Sequence, residues 1–178
     1  DMLVVERYDD GYHGLESTIV KIDNGKLTVL RHGSADMDAL LRFAEIEGFL
    51  FEDKKMYEKE NDLQISPGQF IKHYSSYIPT YLMPSGGIRK TIDMSRIGIL
   101  DFGKEYLNIS CGCYKSLSVT EDIKEAAYNF YSMYRDMEDE SIDIIVINQI
   151  SIDKQKGRYV DALRDKLVRA SSGNVFIP

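Results

Sequence analysis

Residues 66–79, SPGQFIKHYSSYIP, set a cation, an imidazole and a phenol in a row: Lys72, His73 and Tyr74. Those three groups suit the stabilisation of phosphate oxygens, because each donates a hydrogen bond and two of them can carry charge. A loop that anchors itself to a protein surface uses the same groups. Two other places have candidate chemistry. In GLESTIV, residues 14–20, the hydroxyls of Ser17 and Thr18 and the carboxylate of Glu16 precede a strand, and Gly14 lets backbone approach a ligand. In Arg31-His32-Gly33 a strand ends in a guanidinium, the group that grips a phosphate bidentately. Each place also fits a plainer role, as a turn or a solvated strand end.

Other chemistries lack their signatures. The chain has no P-loop, no G-x-G-x-x-G, no H-E-x-x-H and no nucleophile elbow. Ser, His and Asp all occur, but nothing marks a triad. Cys111 and Cys113 form a lone C-x-C pair, which cannot supply four zinc ligands and reads as two thiols in a reducing compartment. Asn108-Ile109-Ser110 matches a glycosylation acceptor by chance. No metal site is expected, and no catalytic residue is assigned.

The elements that position these groups belong to an ordinary globular chain of 178 residues, 43% apolar and 29% charged. Its net charge of −7 argues against a nucleic-acid surface, which needs clustered Lys and Arg. The longest apolar run, near 142–147, is strand-sized and far short of a membrane span. No signal peptide is visible, so a cytoplasmic location and no membrane partner are expected.

Along the chain, MLVVER (2–7), STIVKI (17–22) and KLTVLR (26–31) read as strands, and Asn24-Gly25 makes the last two a hairpin. SADMDALLRFAEIEG reads as a helix capped by Ser34 and ended by Gly48. Residues 52–64 are charged and weakly patterned, an exposed and mobile connection. TYLM (80–83), RIGILDFG (96–103) and EYLNISCG (105–112) read as strands around a PSGG loop. A helix over 120–138, capped by Thr120, turns one face of Ile123, Ala126, Ala127, Phe130, Tyr134 and Met137 inward. SIDIIVINQI (141–150) reads as a strand buried on both sides, and 157–171 as a last helix stopped by Gly173.

The fold class is therefore α/β: a Rossmann-like layered domain with a mainly parallel sheet over 78–178, reached through a linker at 51–77. Residues 1–50 differ. A hairpin, one more strand and one helix make a marginal core, so they read as the tail of a larger, incomplete β-rich unit.

GLESTIV, VLRHGS and SPGQFIKHYSSYIP, in that order, resemble G-x-x-S-T-[IV]-[IV], L-R-P-G and S-P-G-M-x-x-x-H-Y-x-P of the two-domain threonylcarbamoyl-AMP synthases. Those enzymes join a YrdC-like catalytic domain, through the S-P-G…H-Y linker, to a C-terminal Rossmann-like domain. IGILDFG resembles that domain's first strand, DIKEAAYNFYSMYRDME its long aromatic helix, and YVDALRDKLVRASSG its last helix. The resemblance spans nearly the whole chain and implies a 1–50 piece that is the end of a YrdC-like domain. It implies an activity that makes threonylcarbamoyl-AMP from L-threonine, bicarbonate and ATP, with Mg2+ accompanying the triphosphate. A downstream complex then modifies tRNA, so tRNA is only an indirect partner.

The resemblance places Ser17 at the threonine contact and Arg31, Lys72, His73 and Tyr74 at the nucleotide. The Lys-Arg-Pro and Ser-x-Asn motifs that the family carries in its N-terminal half have no counterpart ahead of GLESTIV in the chain. The missing N-terminal YrdC-like domain is therefore an expected partner, and the chain alone is expected to be inactive and to hold no cofactor. His32 stands for the usual proline, Gln69 for methionine, Lys72 for arginine, and Ser76 for the proline after His-Tyr. The alternative reading is a non-catalytic α/β module that binds a nucleotide or a partner.

Overall fold

The computed structural model describes residues 2–5, 17–33, 35–53, 76–88, 92–149, 152, 154–155 and 159–177. The linker triad Lys72, His73 and Tyr74 lies outside them, as do Gly14 and Glu16, Gln69, and the stretch 54–64 read as an exposed connection.

Two four-stranded sheets carry the chain. The first has the order β1-β2-β3-β4: β1 (Met2–Val5), β2 (Thr18–Asp23), β3 (Lys26–Arg31) and β4 (Leu50–Asp53). β2 and β3 form the expected hairpin. Asn24 and Gly25 both take positive φ, 49° and 74°, as a tight two-residue turn with the strands' twist requires. Between β3 and β4 runs α1 (Met37–Glu47), which makes these two strands parallel. Its cap is Asp36, whose side chain accepts from the Asp38 N–H, rather than Ser34. Gly48 ends it in the left-handed region, as expected. Val20, Leu27, Val29 and Ala44 are buried together, with Met37, Leu40, Phe49 and Phe51 packed on them. This small core does form.

β4 is a strand that sequence reading missed. Its residues LFED run from the end of the helix into the charged stretch assigned to the linker. The parallel pairing holds it, with Thr28 and Lys26 side chains on Glu52 at 3.2 and 2.7 Å.

The second sheet is parallel throughout its four strands, in the order β5-β8-β6-β7: β5 (Thr80–Leu82), β6 (Ile97–Asp101), β7 (Cys113–Ser116) and β8 (Ile144–Asn148). β8 sits between β5 and β6 and is buried on both faces, which is why its sequence is continuously apolar. α2 (Ile123–Asp136) and α3 (Val160–Ser171) cover one face. Ala126, Phe130 and Tyr134 of α2 and Leu163, Leu167 and Ala170 of α3 share one core with Leu100, Ile145 and Ile147. The other face is covered by loops and the tail: Met83, Ile88, Met94, Tyr106 and Phe176 pack on Ile97, Ile99 and Val146. Residues 174–176 also line the outer side of β5, with the Phe176 N–H donating to the Leu82 carbonyl at 2.9 Å.

Two readings are corrected here. EYLNISCG (105–112) is a run of turns, and the strand is β7, just after it. Tyr106 and Ile109 point inward because the turns cap the loop-covered face, so apolar recurrence marked packing without a ladder. The cap of α2 is Asp122, whose carboxylate accepts from the Glu125 N–H, rather than Thr120. Its predicted inward face is otherwise as read, with Ala126, Ala127, Phe130, Tyr134 and Met137 buried.

Candidate functional site

Pairing directions gather the candidate groups of the first sheet at one edge. β2 starts there, and its neighbours β1 and β3 run antiparallel to it and end there. β4 is parallel to β3 and ends there too. Ser17 and Thr18, Arg31 and His32, and Asp53 thus meet at the ends of three strands.

The local chemistry is a set of cross-strand ties. Arg31 Nε donates to the Ser17 carbonyl at 2.9 Å, next to a bulge at Ile19/Val20 that re-aims the start of β2. Thr18 is fully buried, and its Oγ1 accepts from the Gly33 and Ala35 N–H groups at 3.1 and 3.0 Å. Those bonds fix the chain that leaves β3, so the backbone after Arg31 has one course. His32 Nε2 lies 2.7 Å from Asp53 Oδ1, and the ring is largely buried. Burial works against a charged imidazole. The hydrogen bond and charge of Asp53, with the charges of Asp165 and Asp161, outweigh it, and the His32 pKa lies above the ordinary 6.5.

The structure therefore brings together Ser17 and Arg31, the two predicted contacts among the described residues. Asp53 was not predicted as a working group, and Thr18 was named among the candidate hydroxyls without a role of its own. Thr18 was visible as half of Ser-Thr, but Asp53 sits 21 residues from its partner in a stretch read as linker.

A second polar cluster lies at the C-terminal ends of β6 and β8, where Asp101 and Asn148 face each other in register. Asp101 is fully buried and accepts from Asn148 Nδ2 at 2.9 Å, the Tyr106 N–H at 2.8 Å and the Tyr114 hydroxyl at 3.0 Å. Burial and the Asp101 charge push the Tyr114 phenol well above its usual range, so it stays a donor. This cluster fastens the turns after β6 to the sheet.

The linker enters the second sheet through a third set of contacts. Tyr134 is fully buried, and its hydroxyl accepts from the Ser76 N–H at 2.9 Å and pairs with Thr80 Oγ1 at 2.8 Å. Ser76 Oγ accepts from the Ile78 N–H at 3.0 Å, and the Tyr77 hydroxyl donates to the Glu138 carbonyl. Cys111 and Cys113 are both free thiols. Burial raises the pKa of each, which lowers its share of thiolate. Among the described residues no cluster of His, Cys, Asp or Glu could hold a metal ion, and no helix is long and apolar enough to cross a membrane.

A parallel-sheet α/β domain follows a mixed sheet whose strand ends collect Ser, Thr, Arg, His and Asp. Residues 39–172 match the family model described as the threonylcarbamoyl-AMP synthase, C-terminal domain, and the chain belongs to that family. Among solved structures it is similar to the crystal structure of P. abyssi Sua5 complexed with L-threonine. The identity is 17% and the TM-score 0.68, over 91% of this chain and 47% of that one. It is similar also to a His/Tyr double-alanine variant of P. abyssi Sua5, with 19% identity and a TM-score of 0.68, over 92% of this chain and 46% of that one. These likenesses bear out the fold, and the chain spans about half the length of the structures it matches. Comparison with curated proteins gave no match.

Proposed function

We propose that the chain is the C-terminal part of an L-threonylcarbamoyladenylate synthase, which makes threonylcarbamoyl-AMP from L-threonine, bicarbonate and ATP for tRNA threonylcarbamoyladenosine modification in the cytoplasm. The observation that carries this reading is the Arg31–Ser17 tie at one sheet edge, in a chain of the synthase family. Ser17 contacts threonine. Arg31 holds the nucleotide, where a guanidinium's planar donors suit phosphate oxygens. Lys72, His73 and Tyr74 of the linker serve the phosphates as donors, the role the resemblance implies for them.

Magnesium enters with the triphosphate as substrate. Among the described residues no group of His, Cys, Asp or Glu could hold a metal ion, and Asp53 is committed to His32. No step is assigned to a bound metal.

The partner expected to pack on residues 1–50 is a YrdC-like N-terminal domain. The outward side of α1 supports this: Ile46 is 81% exposed, and Phe43, one turn before it, is exposed too, apolar groups suited to a second layer. The test is threonine- and bicarbonate-dependent release of pyrophosphate from ATP, measured on the chain together with a YrdC-like catalytic half. Release is expected from the pair and not from the chain alone. Threonine-independent release, or none, contradicts the reading.

A further inference from the structure

We infer that His32 is a proton-operated positioning residue for Arg31, tightening the oxyanion grip of this edge when its ring is charged. The inference rests on the nucleotide-site reading above and deepens it.

The geometry is one of a pinned strand end. Arg31 is tied to Ser17, Gly33 is tied to Thr18, and His32 between them is tied to Asp53 at the end of the neighbouring strand. The ring is the one side-chain link in this set from the end of β3 to the end of β4. Only 14% of its side chain is exposed. Its Nδ1 is buried and has no hydrogen-bond partner among the described residues. A buried orphan nitrogen is costly and uncommon, so a role should account for it. With Nε2–H donating to Asp53, the state of Nδ1 decides whether the ring is an imidazolium or a neutral donor. The imidazolium–carboxylate bond is charge-assisted and stronger. The same charge adds to that of Arg31 when an oxyanion approaches.

The groups that face the ring set the direction. Asp53 on β4 is its bonded partner. From α3, Asp161 and Asp165 act on it through their charge, although each is itself paired, Asp161 with Arg164 at 3.2 Å and Asp165 with Arg169 at 2.7 Å. Among the described residues, Arg31 precedes the ring in the chain, and Thr18 of β2 holds Gly33 just after it. Burial opposes the charged ring, the carboxylates favour it, and the pKa rises above 6.5. A group whose folded pKa is raised contributes stability that is fully present below 6.5 and lost as pH rises through the folded value. Grip at Arg31 should weaken over that same window.

The family motif has proline where His32 stands, and proline could make no such link. Proton control is therefore a property of this sequence.

The test uses the chain as it is, with sulfate as an oxyanion probe because its charge stays constant from about pH 6 to about pH 9. Side-chain nitrogen NMR reads the ring directly, since the chain has 3 histidines. His32 should titrate above 6.5 in the wild type and lower in Asp53→Asn. Sulfate affinity of the wild type should fall about fivefold more across this window than that of His32→Gln. A ring that titrates at or below its ordinary value, unmoved by Asp53→Asn, overturns the inference. So does one pH profile shared by wild type and His32→Gln, while Arg31→Ala still abolishes binding. Sulfate binding indifferent to Arg31→Ala overturns instead the nucleotide-site reading, and this inference with it.

Discussion

The Arg31 guanidinium donates through Nε to the backbone carbonyl of Ser17, at 2.9 Å, and so joins two residues that the chain separates by a hairpin. One is expected to touch an amino acid and the other a nucleotide. The tie means that neither can shift alone. Thr18 supports both, because its buried hydroxyl holds the two N–H groups that follow the Arg31 strand. Thr18→Val keeps the shape and leaves those donors without a partner. The expected cost is about 1–3 kcal/mol, read from urea unfolding, together with weaker oxyanion binding at Arg31. Unchanged stability and binding would show that the backbone after Arg31 holds its course unaided.

Ser76 stands where the synthases have proline, and the structure gives that exchange a use. Its N–H donates to the buried Tyr134 hydroxyl, a bond proline cannot make. Ser76→Pro should therefore destabilise by about 1–3 kcal/mol, more than Ser76→Ala, which keeps the N–H. The check is the denaturant midpoint of the two variants. A Ser76→Pro protein as stable as wild type would mean that the Tyr134 contact contributes nothing.

Asp101 accepts three hydrogen bonds at the ends of β6 and β8 while fully buried. Asp101→Ala strands the Tyr106 N–H and takes one acceptor each from Asn148 Nδ2, which keeps Glu105, and from the Tyr114 hydroxyl, which keeps the Gly103 carbonyl at 3.1 Å. A loss of about 2–4 kcal/mol is expected by thermal or chemical unfolding, with Tyr114 moving toward solvent in fluorescence. A loss below about 0.5 kcal/mol would place the cluster at the surface in solution.

How much of this was readable in the sequence follows from how local each signal is. The Asn24-Gly25 hairpin, the inward face of α2 and the two-sided burial of β8 each rest on a short pattern, and each is found as read. Caps fell two residues late, at Asp36 and Asp122, because Ser or Thr also precedes those helices and only side-chain aim separates the candidates. β4 hid in a charged run, since a parallel edge strand needs no alternation and its pairing partner lies across a helix. The His32–Asp53 link depends on that missed strand, so no spacing rule could reveal it. Arg31 and Ser17 were legible through the order of three motifs. Their 2.9 Å contact was not, because it depends on the bulge in β2.

The small core under α1 is expected to be the weaker of the two. Its cluster holds Val20, Leu27, Val29 and Ala44, whereas β8 lies between two larger clusters. Amides of β2 and β3 should exchange faster with deuterium than those of 144–148, by about tenfold or more. Equal protection would show that the first sheet has a core as firm as the second.

We propose that Arg31 at this sheet edge serves threonylcarbamoyl-AMP synthesis. Its most direct test is threonine-dependent pyrophosphate release by the chain paired with a YrdC-like catalytic half, comparing wild type, Arg31→Lys and Arg31→Ala. Removing one charged donor from phosphate should lower kcat/KM about a hundredfold in Arg31→Ala, and Arg31→Lys should recover part of it through charge without the planar fork. Equal rates in wild type and Arg31→Ala would contradict the account.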